Sequence, residues 1–538
     1  MDITSHAHLA AGWTTLAVCL TIALIFSWLF VLWLRSVRAN ESSTCTNVTI
    51  TFCLWMTFVC AGLVPVDVFI VSSFKDADGT YEKWAKDVSV RNGIMFHLQI
   101  IYYTLFCMIL SMSFIILPLT FFFHTTSPLA EEDEEDLEET FGRKMCRAFK
   151  YTSASVMALV ALILLGIFLP FETSPNVHNL SQYFQAEWQI FETNEGFEMV
   201  VFVLNSVSVV GLFLLVIYTS IGMSAIPYNL IKGTSGTAHA IGQIDNDINQ
   251  VDGRLQELRE GEDELNAFEQ EEAQRLENEL QQLNRQKSEL QESTRNWAFF
   301  CYRMSRPVQL ILGLIFLSLL VLIFSSLLLN NIDKAMHANA KSGYVLKNGT
   351  LPNPMDMSLV RLQNVFPLDY ILYNGMVLLF LASSISGIFK IGIRFMWLPL
   401  YKVKPHSTKP QALALVSLTL ILILMASNIL FFAISPDYTT YGSQRFVKTD
   451  YITNSTEILH CNNSFAPHDE CTMTMISRFL LAFHTKAWIF GATYYWLTWI
   501  FLVTLFGFSF MTLFECCRRG QRSSFGDYEE DELLDNEA

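Results

Sequence analysis

Nine long apolar runs decide what this chain can become. They lie at roughly 13–34, 48–74, 94–123, 151–171, 197–220, 307–330, 369–389, 411–434 and 485–513. A helix of about 20 apolar residues crosses a hydrocarbon core of about 30 Å. Lipid offers no water to the backbone, so each run must bond its own amides as a helix. Composition agrees: 52% of residues are hydrophobic and only 16% charged, against about 25% charged in soluble chains. Residues Met1 to Gly12 hold no Lys or Arg, so the basic start of a cleaved signal is missing and the first run reads as a retained helix.

Orientation follows from the basic residues, which favour the cytosolic side. With the N-terminus outside, the inside segments hold 23 of the 35 Lys and Arg. The sequons at Asn179, Asn348, Asn454 and Asn462 then all fall outside, where they could be glycosylated. Those at Asn40 and Asn47 fall inside and should stay bare.

The sequence divides into helices 1–5 (1–233), a cytosolic segment (234–306), helices 6–9 (307–513) and an acidic tail (514–538). In the cytosolic segment Ile241, Ile244, Ile248, Val251, Leu255 and Leu258 share one helix face. The stripe breaks at Gly261 and resumes from Leu265 to Leu290. Two amphipathic helices over 241–292 could fold into a hairpin. One continuous helix could instead pair with a second copy, which would make a homo-oligomer. The expected class is an all-α polytopic membrane protein carrying this cytosolic element.

Several classes are excluded or disfavoured. The net charge of −16 offers no basic face for nucleic acid. No phosphate-binding Gly-x-x-x-x-Gly-Lys-Ser/Thr loop occurs, so the chain holds no ATPase of its own. No catalytic triad or zinc motif stands out, and His6, His8 and His97 are isolated. The reading is not an enzyme, with no metal and no tightly bound cofactor.

Two acids lie in apolar runs, Asp67 after Pro65 and Asp369 after Pro367. A carboxylate near hydrocarbon is costly and marks a candidate polar site. The pair could line a polar pocket on the outer side. Each could equally cap a helix near the interface. An intramembrane aspartyl protease would need Gly-x-Gly-Asp around one acid, and it is absent. Cys461 and Cys471 share the last outside loop, where an oxidising compartment permits a disulfide. Cys516 and Cys517 stand beside Arg518 and Arg519, a setting for palmitoylation. In the tail Glu529, Leu533 and Leu534 fit an acidic dileucine signal, offering an acid and two leucines to a clathrin adaptor.

Four strings add a resemblance: Leu63 to Ser72, Gly222 to Thr234, Phe366 to Leu372, and Tyr441-Gly442-Ser443-Gln444. With them the chain resembles the limb-region (LMBR) family of membrane proteins, from the first helix to the ninth. The hairpin and the tail are less similar. The resemblance implies nine helices, a lumenal N-terminus and a cytosolic C-terminus. It implies a lysosomal role in moving cobalamin (vitamin B12) to the cytosol, with cobalamin as cargo. Implied partners are a D-subfamily ABC transporter, which the protein would escort, and cytosolic cobalamin-processing proteins. A role as a clathrin-endocytosis adaptor at the plasma membrane and in endocytic vesicles is also implied. Two rivals are a lipocalin-type receptor and a chain that is itself the substrate conduit.

Overall fold

The computed structural model describes residues 20–35, 44–124, 141–168, 195–232, 306–339, 343–344, 350–362, 365, 368–395, 398–401, 403, 408–450, 455–462, 470–486 and 488–519, with isolated positions between 233 and 305. In chain order the helices are α1 (Leu20–Leu34), α2 (Thr44–Ser72), α3 (Val88–His124), α4 (Phe141–Phe168), α5 (Glu195–Lys232) and α6 (Arg306–His337). There follow α7 (Pro354–Leu362), α8 (Leu368–Ile391), α9 (Pro410–Ile434), α10 (Pro436–Tyr441), α11 (Met475–Lys486) and α12 (Trp488–Arg519). Eight of the described helices (α2–α6, α8, α9 and α12) are long and apolar enough to cross a membrane; α1 is a shorter apolar helix. The protein is therefore a multi-pass helical membrane protein. Its packing separates two units, Met1–Ser224 with Leu320–Ala538, and Ala225–Leu319.

In the first unit α9 is the central helix, with 78% of its span buried, against 11% for α4. Its sequence explains this, because small and branched residues surround it on every side and no charge interrupts it. Helices that associate in lipid rely on small residues to bring backbones close. Here Gly222 of α5 lies against Ser383 O of α8, and Gly387 of α8 lies against Tyr218 O of α5; a Cβ on either would strike that backbone. Between these contacts Thr219 Oγ1 and Ser384 Oγ hydrogen-bond at 2.8 Å. Gly211 meets Leu422 O of α9 in the same way.

Helix α3 contains a π-helical turn at Met112–Ile116. Pro118 explains it. Proline has no N–H to offer the carbonyl four residues back, and its ring crowds that carbonyl. The carbonyl in question is Phe114 O, and Ser155 Oγ of α4 donates to it at 2.6 Å. A side chain from the neighbouring helix thus replaces the lost backbone donor.

Two short hairpins depart from the all-helical pattern. β1 (Ile393–Phe395) pairs antiparallel with β2 (Leu398–Tyr401), and β3 (Arg445–Asp450) with β4 (Ser455–His460). The second lies in a polar connection, where alternating residues suit a strand. In the second, Phe446 pairs with Leu459 and Phe446 is buried. Asn47 is buried in α2. The 241–292 stripes fall outside the described residues, apart from isolated helical positions such as Val251 to Leu255.

Candidate functional site

One end of the bundle is closed by polar side chains, and three of the resembling strings meet there. α10 and the residues after it lie across the ends of α2 and α8. Gly442 has a positive φ of +60°, and a Cβ there would strike Ser72 Oγ. Ser443 N donates to Ser72 Oγ at 2.9 Å, which fixes the turn onto α2. Gln444 then works as a double clip: Oε1 accepts Thr472 N at 3.0 Å, and Nε2 donates to Thr472 O at 2.7 Å. Cys461 N donates to Gln444 O at 3.0 Å, and Cys461 is disulfide-bonded to Cys471. Tyr441, Phe446 and Met473 pack with that disulfide in one small apolar cluster.

The two acids of the apolar helices are both sealed in this region. Asp67 is 0% exposed and Asp369 2%. Asp67 Oδ2 accepts Tyr102 Oη of α3 at 3.1 Å and Ile476 N at 2.8 Å. The second bond caps the start of α11, where helix amides have no internal partner. Asp369 sits in the first turn of α8, and its Oδ2 accepts Tyr438 Oη of α10 at 3.0 Å. Oδ1 of each carboxyl has no hydrogen-bond partner among the described residues.

A third buried acid escaped the reading of the sequence. Asp356 of α7 is 6% exposed and accepts Tyr438 N at 3.0 Å and Asp437 N at 3.3 Å. It caps α10 from outside, much as Asp67 caps α11. The signal was present, since Pro354-Met355-Asp356 repeats the Pro-x-Asp pattern of the other two acids. It lies on a short amphipathic helix, not in an apolar run, and so carried no membrane cost to mark it. Burial, and next the Asp437 carboxylate, push the Asp356 carboxyl well above the usual range. Burial also raises the Tyr438 hydroxyl, with Tyr370 and Asp369 adding to it, so this phenol stays a donor. Tyr373 stands between the acids, its ring centroid 5.6 Å from that of Tyr438 and its hydroxyl 3.4 Å from Thr439 Oγ1.

Beside this cluster Lys75 and Glu470 pair at 3.7 Å, and Tyr81 Oη donates to Glu470 O at 3.0 Å. Lys75 and Arg91 both lie over the Tyr81 ring. The α2–α3 connection is thereby tied to the disulfide region. Chemically, the arrangement is a set of buried hydrogen-bonded carboxyls. Among the described residues no group of three or more His, Cys, Asp or Glu is placed to hold a metal. A void between α2, α8 and α9, lined by Ala61, Val377, Phe380, Ser384, Leu424 and Phe431, has room for about one water.

Other sequence candidates are scattered. Asn462 follows the disulfide cysteine directly and is half-buried. Asn179, Asn348 and Asn454 lie outside the described residues, as do Glu529, Leu533 and Leu534. Cys516 and Cys517 belong to the last turn of α12, with their side chains outside the description.

With this geometry in hand, comparison with known proteins is specific. The LMBR1-like membrane protein family matches over residues 14–304. The chain is 34% identical to the "Lysosomal cobalamin transport escort protein LMBD1" of Mus musculus, over 99% of this chain and 98% of that one. It is 32% identical to the protein of the same name from Gallus gallus, over 98% and 97%. A "Probable lysosomal cobalamin transporter" of Nematostella vectensis is 33% identical over 93% of each. No solved structure matches. The family match spans more than half of the sequence and the relatives align from end to end, so the chain belongs to the LMBR1-like family of membrane proteins.

Proposed function

We propose that this protein is a lysosomal membrane escort needed for export of cobalamin from the lysosome to the cytosol. It works beside a D-subfamily ABC transporter that supplies ATP hydrolysis. The observation that carries this reading is the near end-to-end similarity to proteins named as lysosomal cobalamin transport escorts. The sequence has no nucleotide-binding loop of its own, which suits an escort whose partner holds the ATPase. The void between α2, α8 and α9 admits about one water, so it offers a corrinoid no passage at that point.

In this reading the N-terminus is lumenal and the C-terminus cytosolic. The closed end with Asp67, Asp356 and Asp369 then faces the lumen, where Asn179, Asn348, Asn454 and Asn462 would carry glycans. The 241–292 stripes and the tail face cobalamin-processing proteins and clathrin adaptors. The reading is tested by locating the ABC partner in cells that lack this protein. It should fail to reach lysosomes and should return on re-expression; normal delivery in the null cells would contradict the escort role.

The tail carries a separate expectation. Replacing Leu533 and Leu534 with alanine removes the apolar pair that an adaptor would hold. The variant should accumulate at the plasma membrane by several-fold in surface biotinylation. Unchanged surface abundance would remove the dileucine signal from the account.

A further inference from the structure

The β1–β2 hairpin is the apolar one of the two hairpins. Residues 393–401 read Ile-Arg-Phe-Met-Trp-Leu-Pro-Leu-Tyr, with a single charge. Water gives such a ribbon little reason to hold, since an isolated two-stranded hairpin is marginal at best. Its root is nevertheless fixed. Gly392 leaves α8 at a φ of +74°, and its N–H donates to Ile388 O at 2.8 Å, a left-handed exit that turns the chain off the helix. Arg394 N then donates to Tyr218 Oη of α5 at 3.1 Å, and Ile393 is buried. Arg394 Nε donates to Ile391 O at 3.2 Å, which holds the guanidinium at the end of α8. Beyond the root the ribbon faces outward: Leu400 is 47% exposed.

The hairpin lies at one end of the membrane-spanning helices, and hydrogen bonds show which other ends meet there. Thr408 N, on the way to α9, donates to Leu34 O at the end of α1 at 3.2 Å. Gln411 Nε2, in the first turn of α9, donates to His124 O at the end of α3. His124 Nε2 shares a 2.7 Å hydrogen bond with Thr46 Oγ1 at the start of α2. The charge of Lys144, in the first turn of α4, also reaches His124. Arg35, Lys390, Arg394 and Lys409 are exposed at this end. Residues 31–35, 44–50, 118–124, 141–152, 386–401 and 408–415, which build it, contain no Asp or Glu. An apolar ribbon is thus rimmed by charge of one sign.

The fold selects what covers this ribbon. Helices α8 and α9 span the membrane and deliver the hairpin to the level of the headgroups. It cannot sink further, because its outer strand edges carry N–H and C=O groups that hydrocarbon would leave unsatisfied. An added strand from another chain fits β2 poorly, since Pro399 offers no N–H and neighbouring basic residues discourage edge pairing. Aromatic and aliphatic residues set among Lys and Arg are the composition of interfacial anchors. We propose that the β1–β2 hairpin is a lipid-binding anchor: it lies in the headgroup layer with Leu400 in the acyl boundary, while Lys390, Arg394 and Lys409 bind the phosphates of anionic phospholipids. In the orientation proposed above this end meets the cytosolic leaflet, which carries the anionic lipid. Lipid binding itself rests neither on that orientation nor on the escort role.

The test uses the full chain in nanodiscs of phosphatidylcholine with and without phosphatidylserine. A nitroxide is attached at Leu400→Cys in a chain whose other label-reactive cysteines are serine. We expect oxygen, which concentrates in the bilayer, to relax the label more than a water-soluble nickel chelate does. The reverse order would place Leu400 in water, and shielding from both would place it under protein; either overturns the proposal. Native mass spectrometry then reads which lipids stay bound. The wild-type chain should retain phosphatidylserine over phosphatidylcholine. Lys390→Gln and Lys409→Gln together should cut that preference by about five-fold or more. Lys448→Gln, at an exposed lysine of β3 at the opposite end, should leave it unchanged. An equal fall in that control would show a response to net charge alone and overturn the assignment. A wild-type chain with no preference would also overturn it, and this needs no variant to fold. None of these failures touches the escort reading, and a failed delivery experiment would leave lipid binding standing.

Discussion

Gly387→Ala prevents α8 from seating on α5, and the well-folded chain is lost. The added Cβ would lie on the Tyr218 carbonyl, which belongs to the backbone of the facing helix and cannot rotate away. Overpacking a well-filled interior costs about 1–3 kcal/mol. Here two helices must also separate, and the Thr219–Ser384 hydrogen bond between them opens. The helix supplies its own control. Gly375 lies on α8 with nothing within 4 Å of a Cβ. Gly375→Ala should be neutral, or stabilising by up to about 1 kcal/mol through helix propensity. Fluorescence-detected size exclusion checks both: a monodisperse peak for Gly375→Ala, and a peak reduced many-fold or aggregated for Gly387→Ala. Equal peaks would show that the α5–α8 contact is not what holds the bundle together.

The second large effect is expected at Asp67. Truncation to alanine leaves the Tyr102 hydroxyl and the Ile476 amide buried without their acceptor. Each stranded donor costs about 1–3 kcal/mol. The start of α11 loses its cap as well. Asp67→Asn keeps an oxygen that can accept both bonds, so it should recover most of the loss. The thermal midpoint of each purified variant decides the matter. Order alanine well below asparagine, with asparagine near wild type, supports a hydrogen-bonding role. Two variants destabilised alike would mean that the negative charge itself is required.

Much of this architecture was legible in the sequence because lipid imposes a simple rule. The apolar runs at 48–74 and 411–434 reappear as α2 and α9 within a few residues, and 307–330 reappears as α6, which continues to His337. That Asp67 and Asp369 are unusual was also legible, since a charge inside an apolar run is conspicuous. Their partners were not. Asp67 bonds Ile476, 409 positions away, and Tyr438 lies 69 positions from Asp369. No local period reports such pairings. Asp356 was passed over because an acid on a nine-residue amphipathic helix looks like ordinary surface. The β3–β4 hairpin hid for a similar reason, in a polar loop whose strands are six residues each. The glycines had no visible role until the facing carbonyls were known. In the string from Gly222 to Thr234, the first residue lies against Ser383 O of α8.

The most direct test of the escort account follows labelled cobalamin through lysosomes in cells that lack the protein. The account predicts that cobalamin accumulates in the lysosomal fraction and the cytosolic pool falls several-fold, with re-expression of the full chain restoring both. Normal release of cobalamin from lysosomes without this protein would contradict it.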